Sequence, residues 1–427
     1  MSQFRLNTLA MRLAVVGLAA SLNVLPAHAQ SASAPKGEAV KPVDALSPAV
    51  FKALQGLQEL IDAKKYAEAY AKVDAAEAVP NRTEYENFII NRNRGAIASL
   101  AGDTAVATKA ITAVVESKRL PPAEQVRFIQ GLAGTYYNAK DYPNAIIWIK
   151  RYQAEGGTDP QMGTLLGQAY YLSNDFANAN KVLLAELTKL EQAGTTPTEL
   201  QYQLLMNTYV KTNDRAGFLV VLEKLVTHYP TKDNWNDYLQ RQRAKPGYPD
   251  TALLDFYRLK THMELELEGD EIMDFADLSM RAGLPAEAKQ ALTKGYAAGL
   301  LGKGKNAKAE KVMLDRATKG TADDLKTMAS GEAVAKANKD GLPLVNLGLA
   351  YVTNGQYDKG IPMMEEGVKR GVSKRPTDAK LRLGYAYMLG GKTAEAKTTF
   401  ESLKGEKDAT GDLARYWLMF MNKPPKA

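Results

Sequence analysis

Apolar and polar residues follow a helical period over almost the whole chain after Pro48. Apolar side chains recur three and four positions apart, and turn-forming residues interrupt the pattern every twelve to eighteen residues. This spacing places apolar side chains on one face of a helix, and the interruptions are typical of turns. No stretch shows the strict alternation of a half-buried strand, so the pattern predicts an all-α protein.

Several segments of this pattern align with one another. LAGTYYNAKDYPNAIIWIKRY and LGQAYYLSNDFANANKVLLAE start 34 residues apart, and each has a small residue second, a tyrosine three positions later and an alanine nine positions after that. LGLAYVTNGQYDKGIPMMEEG and LGYAYMLGGKTAEAKTTFESL follow nearly the same order and start 36 residues apart. The small residues in the second position are Ala133, Gly167, Gly348 and Gly384.

This order of leucine, small residue, tyrosine and alanine resembles the tetratricopeptide repeat. The resemblance implies pairs of antiparallel helices, here called A and B, that cross at small side chains and stack on the next pair. Weaker copies fill the rest of the chain, with degenerate ones expected near Leu239 and Val312. We therefore predict an α-solenoid of about ten helical hairpins that forms a right-handed superhelix.

A stretch with two prolines, Arg241 to Asp250, predicts a bend that divides the solenoid. We expect an N-terminal array over residues 49–244 and a C-terminal array over residues 245–427. The last helix carries an apolar stripe that includes Tyr416 and Trp417. It is expected to cap the preceding hairpin, and a homodimer contact is the alternative.

The N-terminus has the three parts of a secretory signal peptide. Residues 1–29 contain Arg5 and Arg12, then an apolar stretch, and end in Ala-His-Ala, which predicts cleavage after Ala29. The apolar stretch is too short to span a membrane, and no later segment approaches the length of a transmembrane helix. Residues 30–48 are interpreted as a flexible leader. The expected location is periplasmic or secreted.

The amino-acid composition excludes several kinds of reactive site and partner. The 427 residues include no cysteine, and 55 Lys and Arg against 48 Asp and Glu give a net charge of +7. Without cysteine there are no disulfides, thiolate nucleophiles or thiolate zinc sites. The positive charges do not form runs, so we expect no nucleic-acid partner.

Motifs for cofactors and metals are incomplete. GLLGKGKN resembles a phosphate-binding loop, but Asn306 stands where Ser or Thr holds magnesium, and a helical segment precedes it. We interpret it as a turn between helices. Only His228 and His262 remain after cleavage, and neither has a second histidine at helical spacing, so no metal site is predicted. The glutamates after His262 favour a solvated helix end.

No cofactor and no catalytic residue are predicted, and the chain is expected not to be an enzyme. The rival is an envelope enzyme whose carboxylates converge in the bend around Pro246, since such pairs leave no sequence signature.

The resemblance implies that A helices line the concave face of the solenoid and bind a partner. Matching positions are mostly amides and tyrosines, which suit a peptide backbone or a glycan. That Tyr137 and Tyr171 merely fill the space between adjacent A helices is an open alternative. The predicted partner-binding residues are Gln130, Tyr137, Asn138, Thr164, Gln168, Tyr171, Gln203, Asn207 and Lys211.

Together these features predict a non-catalytic protein-binding scaffold of the cell envelope. The partner is expected to be a protein or peptide in the envelope, and exported repeat proteins of this kind look like helpers of TonB-type or envelope assembly systems. A scaffold that binds peptidoglycan or polysaccharide in the periplasm is the alternative.

Overall fold

The computed structural model describes residues 44–245 and 248–425, and every regular element in these ranges is a helix. The predicted all-α fold of consecutive helical hairpins is confirmed. The predicted signal peptide, residues 1–29, and most of the leader, residues 30–48, lie outside the described residues. None of the helices in the described ranges is long and apolar enough to cross a membrane.

The chain forms two compact units that divide between Phe218 and Leu219. The predicted boundary at residue 244 lies farther along the chain, within the second unit. The helices of the first unit, the last of which crosses the division, are α1 (Pro48–Leu54), α2 (Leu57–Asp62), α3 (Tyr66–Glu77), α4 (Glu84–Ala101), α5 (Thr104–Glu116), α6 (Pro122–Asn138), α7 (Tyr142–Ala154), α8 (Pro160–Leu172), α9 (Phe176–Gln192), α10 (Glu199–Lys211) and α11 (Arg215–His228).

Short turns with a fixed chemistry join the A and B helices of the first unit. In the turn between α6 and α7, Lys140 has a left-handed backbone with φ of 61°. The next residue, Asp141, then caps α7 by accepting a hydrogen bond from the backbone N–H of Asn144. Asn174 and Asp175 repeat this arrangement before α9. Because asparagine and aspartate suit these positions, the sequence alone locates the turns.

The small residues of the repeat lie where paired helices meet. Ala133 is completely buried on α6. A Cβ atom added at Gly167 of α8 would lie 2.4 Å from Leu183 Cδ2 of α9. The predicted role of Gly167 in a close helix crossing is confirmed, because a larger side chain would push α8 and α9 apart.

The second unit continues with helices of similar length, apart from one long helix. They are α12 (Lys232–Arg243), α13 (Leu253–His262), α14 (Gly269–Arg281), α15 (Pro285–Ala297), α16 (Ala307–Ala337), α17 (Leu342–Thr353), α18 (Tyr357–Arg370), α19 (Pro376–Leu389), α20 (Thr393–Glu401) and α21 (Ala409–Asn422).

The tightest helix crossing described in the second unit joins α17 and α18. A Cβ atom at Gly348 would lie 2.7 Å from the carbonyl oxygen of Gly360, so backbone approaches backbone. At Gly384 of α19, the added atom would lie 2.5 Å from the ring of Phe400 on α20. Both glycines therefore occupy the crossings that the repeat predicts.

One expected hairpin is absent from this part of the chain. The sequence places a degenerate pair near Val312, but residues 307–337 form the single helix α16, 31 residues long. The segment contains no proline, and its glycines lie at positions a helix tolerates. Without a turn signal, the two expected helices join into one.

The last helix returns to the first helices of the second unit. The ring of Tyr416 on α21 packs edge to face on Tyr238 of α12, with centroids 5.3 Å apart. The Lys423 ammonium donates to the backbone carbonyl of His228 at 2.7 Å. Tyr416 and Trp417 are buried inside the unit. The stripe that suggested a homodimer contact is therefore covered within the chain, so the structure offers no support for that alternative.

The position of His262 corrects an expectation. Its ring lies 5.1 Å from that of Trp417 and 5.7 Å from that of Phe420, so it is half-buried against α21 rather than at a solvated helix end. Met263 and Leu265 beside it are buried as well. The alternating glutamates point outward, and the apolar residues between them form the contact.

A buried ionic cluster joins α13, α15 and α19. The Arg258 guanidinium makes two hydrogen bonds of 2.8 Å to the Glu287 carboxylate and one of 2.6 Å to Asp255. Tyr385 donates to Glu287 from the other side at 3.3 Å. Arg258 is 1% exposed. Such a charge is tolerated only because both carboxylates face it.

Candidate functional site

All nine predicted binding residues lie on the A helices α6, α8 and α10 of three consecutive hairpins in the first unit. Asn138 and Lys211 are exposed, and the other seven are half-buried. None belongs to the fully buried core. The three helices therefore present one continuous polar row, here called the A-helix row and defined by these nine residues.

Two hydrogen bonds join α6 to the next hairpin. The Gln130 amide donates to Asp159 at 2.7 Å, and the Tyr137 hydroxyl donates to the Gln168 carbonyl oxygen at 2.9 Å. The Tyr137 ring also packs edge to face on Tyr142 at 5.7 Å. Burial raises the pKa of Tyr137 to about 12, so its hydroxyl stays protonated and remains a donor at neutral pH.

A third hydrogen bond joins α8 to α10. The Gln201 amide donates to the Thr164 hydroxyl at 3.3 Å. Gln203 is engaged along its own helix, where its amide donates to Glu199 at 3.3 Å. In the described part of the chain, the side-chain amide of Asn207, which lies one turn after Gln203 on α10, has no hydrogen-bond partner.

Two contacts to the ring of Phe176, one aromatic and one cation–π, involve the last residues of the row. The ring of Tyr171 packs edge to face on Phe176 at 5.3 Å. The Lys211 ammonium lies 5.7 Å from the centroid of the same Phe176 ring. The lysine stem is thus held near the protein, while the residue remains exposed to solvent.

These contacts separate two roles within the A-helix row. Tyr137 and Tyr171 each pack on a ring of the following B helix, as expected if they fill space between helices. The side chains of Asn138, Asn207 and Lys211 make no hydrogen bond or ion pair with the described residues. The assignment of the row as a binding surface stays a prediction. The side chains with free hydrogen-bonding groups for a partner would be those of Asn138, Asn207 and Lys211.

A cavity of about 630 Å³ adjoins the row at Gln130 and Asn138. It lies between α6 and the hairpin of α4 and α5. Sequence reasoning missed the rest of its wall, including Arg127 and Gly131. Gly131 could have been noticed, because it is a glycine inside a helical pattern that fills none of the small positions of the repeat.

The segment that resembles a phosphate-binding loop connects two helices. It leads from α15 into α16, and the backbone N–H of Gly302 donates to Glu310 Oε2 at 2.6 Å. One backbone N–H group of this loop is thus already hydrogen-bonded to a carboxylate of the chain itself. The described residues contain no cluster of three or more His, Asp or Glu side chains suited to a metal ion.

The equivalent A-helix positions of the second unit are packed within the chain. Val345, Leu349 and Val352 of α17 are buried, and only Met388 of α19 is half-buried. These apolar side chains form core contacts, so the described polar row is confined to the first unit's helices α6, α8 and α10.

Comparison with known proteins agrees with this architecture. Residues 345–410, which begin in α17 and end in α21, match the family model described as tetratricopeptide repeat. No curated protein matches the chain in sequence.

Among solved structures, the chain is similar to the TPR2AB domain of yeast Sti1, with 12% identity, 70% of this chain and 98% of that chain covered, and a TM-score of 0.24. It is also similar to the maize pentatricopeptide repeat protein PPR10, with 16% identity, 88% and 56% covered, and a TM-score of 0.29. It is similar as well to the structure of Naa15/Naa10 bound to HypK-THB, with 15% identity, 87% of this chain and 60% of that chain covered, and a TM-score of 0.33.

Proposed function

We propose that the chain is a non-catalytic scaffold that binds an extended segment of a partner protein along its A-helix row. The match of residues 345–410 to the tetratricopeptide-repeat model supports this proposal. The row supplies side-chain amides that both donate and accept hydrogen bonds, which matches the alternating N–H and C=O groups of a peptide backbone. Repeats of this kind present continuous surfaces because each hairpin adds one further helix to the same face.

The observation that carries this proposal is the set of polar side chains without hydrogen-bond partners on two of the three A helices, α6 and α10. Asn138 on α6 and Asn207 and Lys211 on α10 have no hydrogen-bond partner among the described residues. Their neighbours in the row are fixed by hydrogen bonds between helices, such as Tyr137 to Gln168. A surface whose framework is fixed and whose remaining groups are open loses little conformational entropy on binding.

We place the scaffold in the cell envelope, periplasmic or secreted, on the basis of the signal-peptide pattern in residues 1–29. A helper role in a TonB-type or envelope assembly system is part of this proposal. N-terminal sequencing of the mature protein tests the location, and a first residue of Gln30 is the expected result.

A glycan is the alternative ligand of the row. Sugar recognition commonly uses aromatic rings as flat platforms, but Tyr137 and Tyr171 already pack on Tyr142 and Phe176. Peptide is therefore the better match to the open amides. Sedimentation of the protein with purified peptidoglycan distinguishes the two, and the proposal expects no cosedimentation.

The proposal is tested by affinity capture from envelope fractions with the full chain as bait. The Asn138→Ala/Asn207→Ala/Lys211→Ala variant removes the open groups while keeping the hydrogen bonds between helices. Loss of these contacts is expected to lower partner recovery about tenfold or more, which corresponds to about 1.4 kcal/mol or more of binding free energy.

A matched control removes two amide side chains and one lysine from B helices instead. Gln153 of α7 and Lys181 and Gln192 of α9 are exposed. The Gln153→Ala/Lys181→Ala/Gln192→Ala variant is expected to recover the partner as the wild type does. Equal recovery by both variants, with unchanged circular dichroism, would contradict the proposed binding surface.

A further inference from the structure

Gly131 lies inside helix α6 and has no structural reason to be glycine within the chain. Its φ is not left-handed, and an added Cβ atom would meet no other atom within 4 Å. By contrast, a Cβ atom at Gly163 or Gly167 of α8 would lie 2.4 Å from a side-chain atom of α9. Glycine inside a helix lowers helix stability relative to alanine, so Gly131 carries a cost that no internal contact explains.

The missing side chain leaves open the cavity between α6 and the hairpin of α4 and α5. The cavity measures about 630 Å³, within the range of about 300–1,000 Å³ that is typical of ligand pockets. Its wall is mainly apolar or small. The residues that define its floor are Ala98, Ala107, Ile111, Phe128, Gly131 and Leu132.

The polar groups of the wall are largely committed to the chain. The hydroxyls of Ser99, Thr108 and Thr135 donate to backbone carbonyls four residues earlier. Gln130 donates to Asp159. These groups therefore offer few new donors to a ligand, and the cavity selects mainly by shape and apolar contact.

One charge borders this apolar space. Among the described residues of the cavity wall, Arg127 is the single charged side chain, and it is exposed without an ion pair in the described part of the chain. The carboxylate of Glu124, one helical turn before Arg127, pairs with Arg92 instead. An arginine beside an apolar pocket complements a ligand that joins an apolar group to an acid.

We propose that this cavity is the specificity pocket of the peptide site, and that it takes a bulky apolar side chain of the partner whose neighbouring residue is acidic and pairs with Arg127. The inference rests on the proposed function, since Gln130 and Asn138 belong both to the cavity wall and to the A-helix row. A peptide that lies along the row thus passes the mouth of the cavity.

The test uses the full mature chain and fluorescein-labelled, C-amidated octapeptides of Ala and Ser. Two adjacent central residues vary: Leu, Phe or Ala, followed by Asp, Asn or Lys. Fluorescence polarisation gives the affinities. The Leu-Asp and Phe-Asp peptides are expected to bind about tenfold more tightly than Ala-Asn, because an anchored side chain and a charge-assisted contact each add to binding.

Two variants at one position separate pocket filling from helix stabilisation. Gly131→Leu is expected to fold normally, since open space surrounds the new side chain, but it fills the cavity and should abolish the preference for Leu or Phe over Ala. Gly131→Ala raises helix propensity similarly and leaves most of the cavity open, so it should retain that preference. Arg127→Gln should remove the preference for Asp over Asn and leave the preference for Leu over Ala.

The outcomes distinguish this inference from the proposed function. If Gly131→Leu binds the peptides as the wild type does, or if the wild type shows no preference among them, the pocket assignment is wrong, even when partner capture still depends on Asn138, Asn207 and Lys211. If capture does not depend on those three residues, the proposed function fails and the pocket inference fails with it.

Discussion

At the scale of single residues, burial decides how His262 behaves. Its ring is enclosed by Trp417 and Phe420, and this burial lowers its pKa below the ordinary 6.5, with Lys294 acting in the same direction and Glu264 opposing it. Below pH 6.5 the unfolded chain therefore binds a proton at this residue more readily than the folded chain. Folding stability contributed by neutral His262 is lost as the pH falls below that value.

We expect the free energy of unfolding of the wild type to fall more steeply between pH 7 and pH 5 than that of His262→Phe, which keeps an aromatic ring but cannot titrate. Urea unfolding of both proteins across this range measures the difference. Parallel curves for the two proteins would show that His262 has no part in the pH response.

Sequence reasoning succeeded for residues whose role is local and failed for those fixed by distant partners. Asp141 and Asp175 were recognisable as caps because the bond they accept lies three residues away. Arg258 was not recognisable, because Glu287 lies 29 residues away and Tyr385 reaches the same carboxylate from 98 residues away. Nothing in the local sequence brings those groups together.

At the scale of helices, the distance between paired backbones sets the tolerance for substitution. At Gly348 an added Cβ atom meets the carbonyl oxygen of Gly360 at 2.7 Å and the backbone nitrogen of Met364 at 3.0 Å. At Gly167 it meets only the end of the Leu183 side chain. A leucine side chain can change rotamer, whereas two helix backbones must move apart.

Gly348→Ala is therefore expected to destabilise the protein by about 1–3 kcal/mol, and Gly167→Ala by less, since alanine also gains helix propensity. Equilibrium urea unfolding, followed by circular dichroism, measures both. Equal destabilisation, or a larger loss at Gly167, would mean that the α17–α18 crossing is looser than described.

Helices were predictable where turn signals bound them. The Asn, Asp and Gly residues of the turns give the limits of α6 to α10 and α17 to α20 closely. The interval around Val312 had the length of a hairpin but no such signal, and it forms the single helix α16. Spacing alone therefore predicted helical structure there, but it also predicted a turn that the helix does not contain.

At the scale of the whole molecule, the fold follows from the repeat, whereas the site requires the structure. The nine residues predicted from the repeat lie on α6, α8 and α10, and their role in binding stays a prediction. The sequence pattern did not show which of them are engaged, such as Tyr137, or open, such as Asn207. It also missed the cavity, because Arg127 and Gly131 face residues of α4 and α5 that lie earlier in the chain.

The central claim is that a partner segment lies along the A helices of the first unit. Hydrogen–deuterium exchange of the full chain, with and without the partner captured from envelope fractions, tests it most directly. We expect slower amide exchange on binding in α6, α8 and α10, with α7 and α9 unchanged. Protection confined to α7 and α9, or to the second unit, would contradict it.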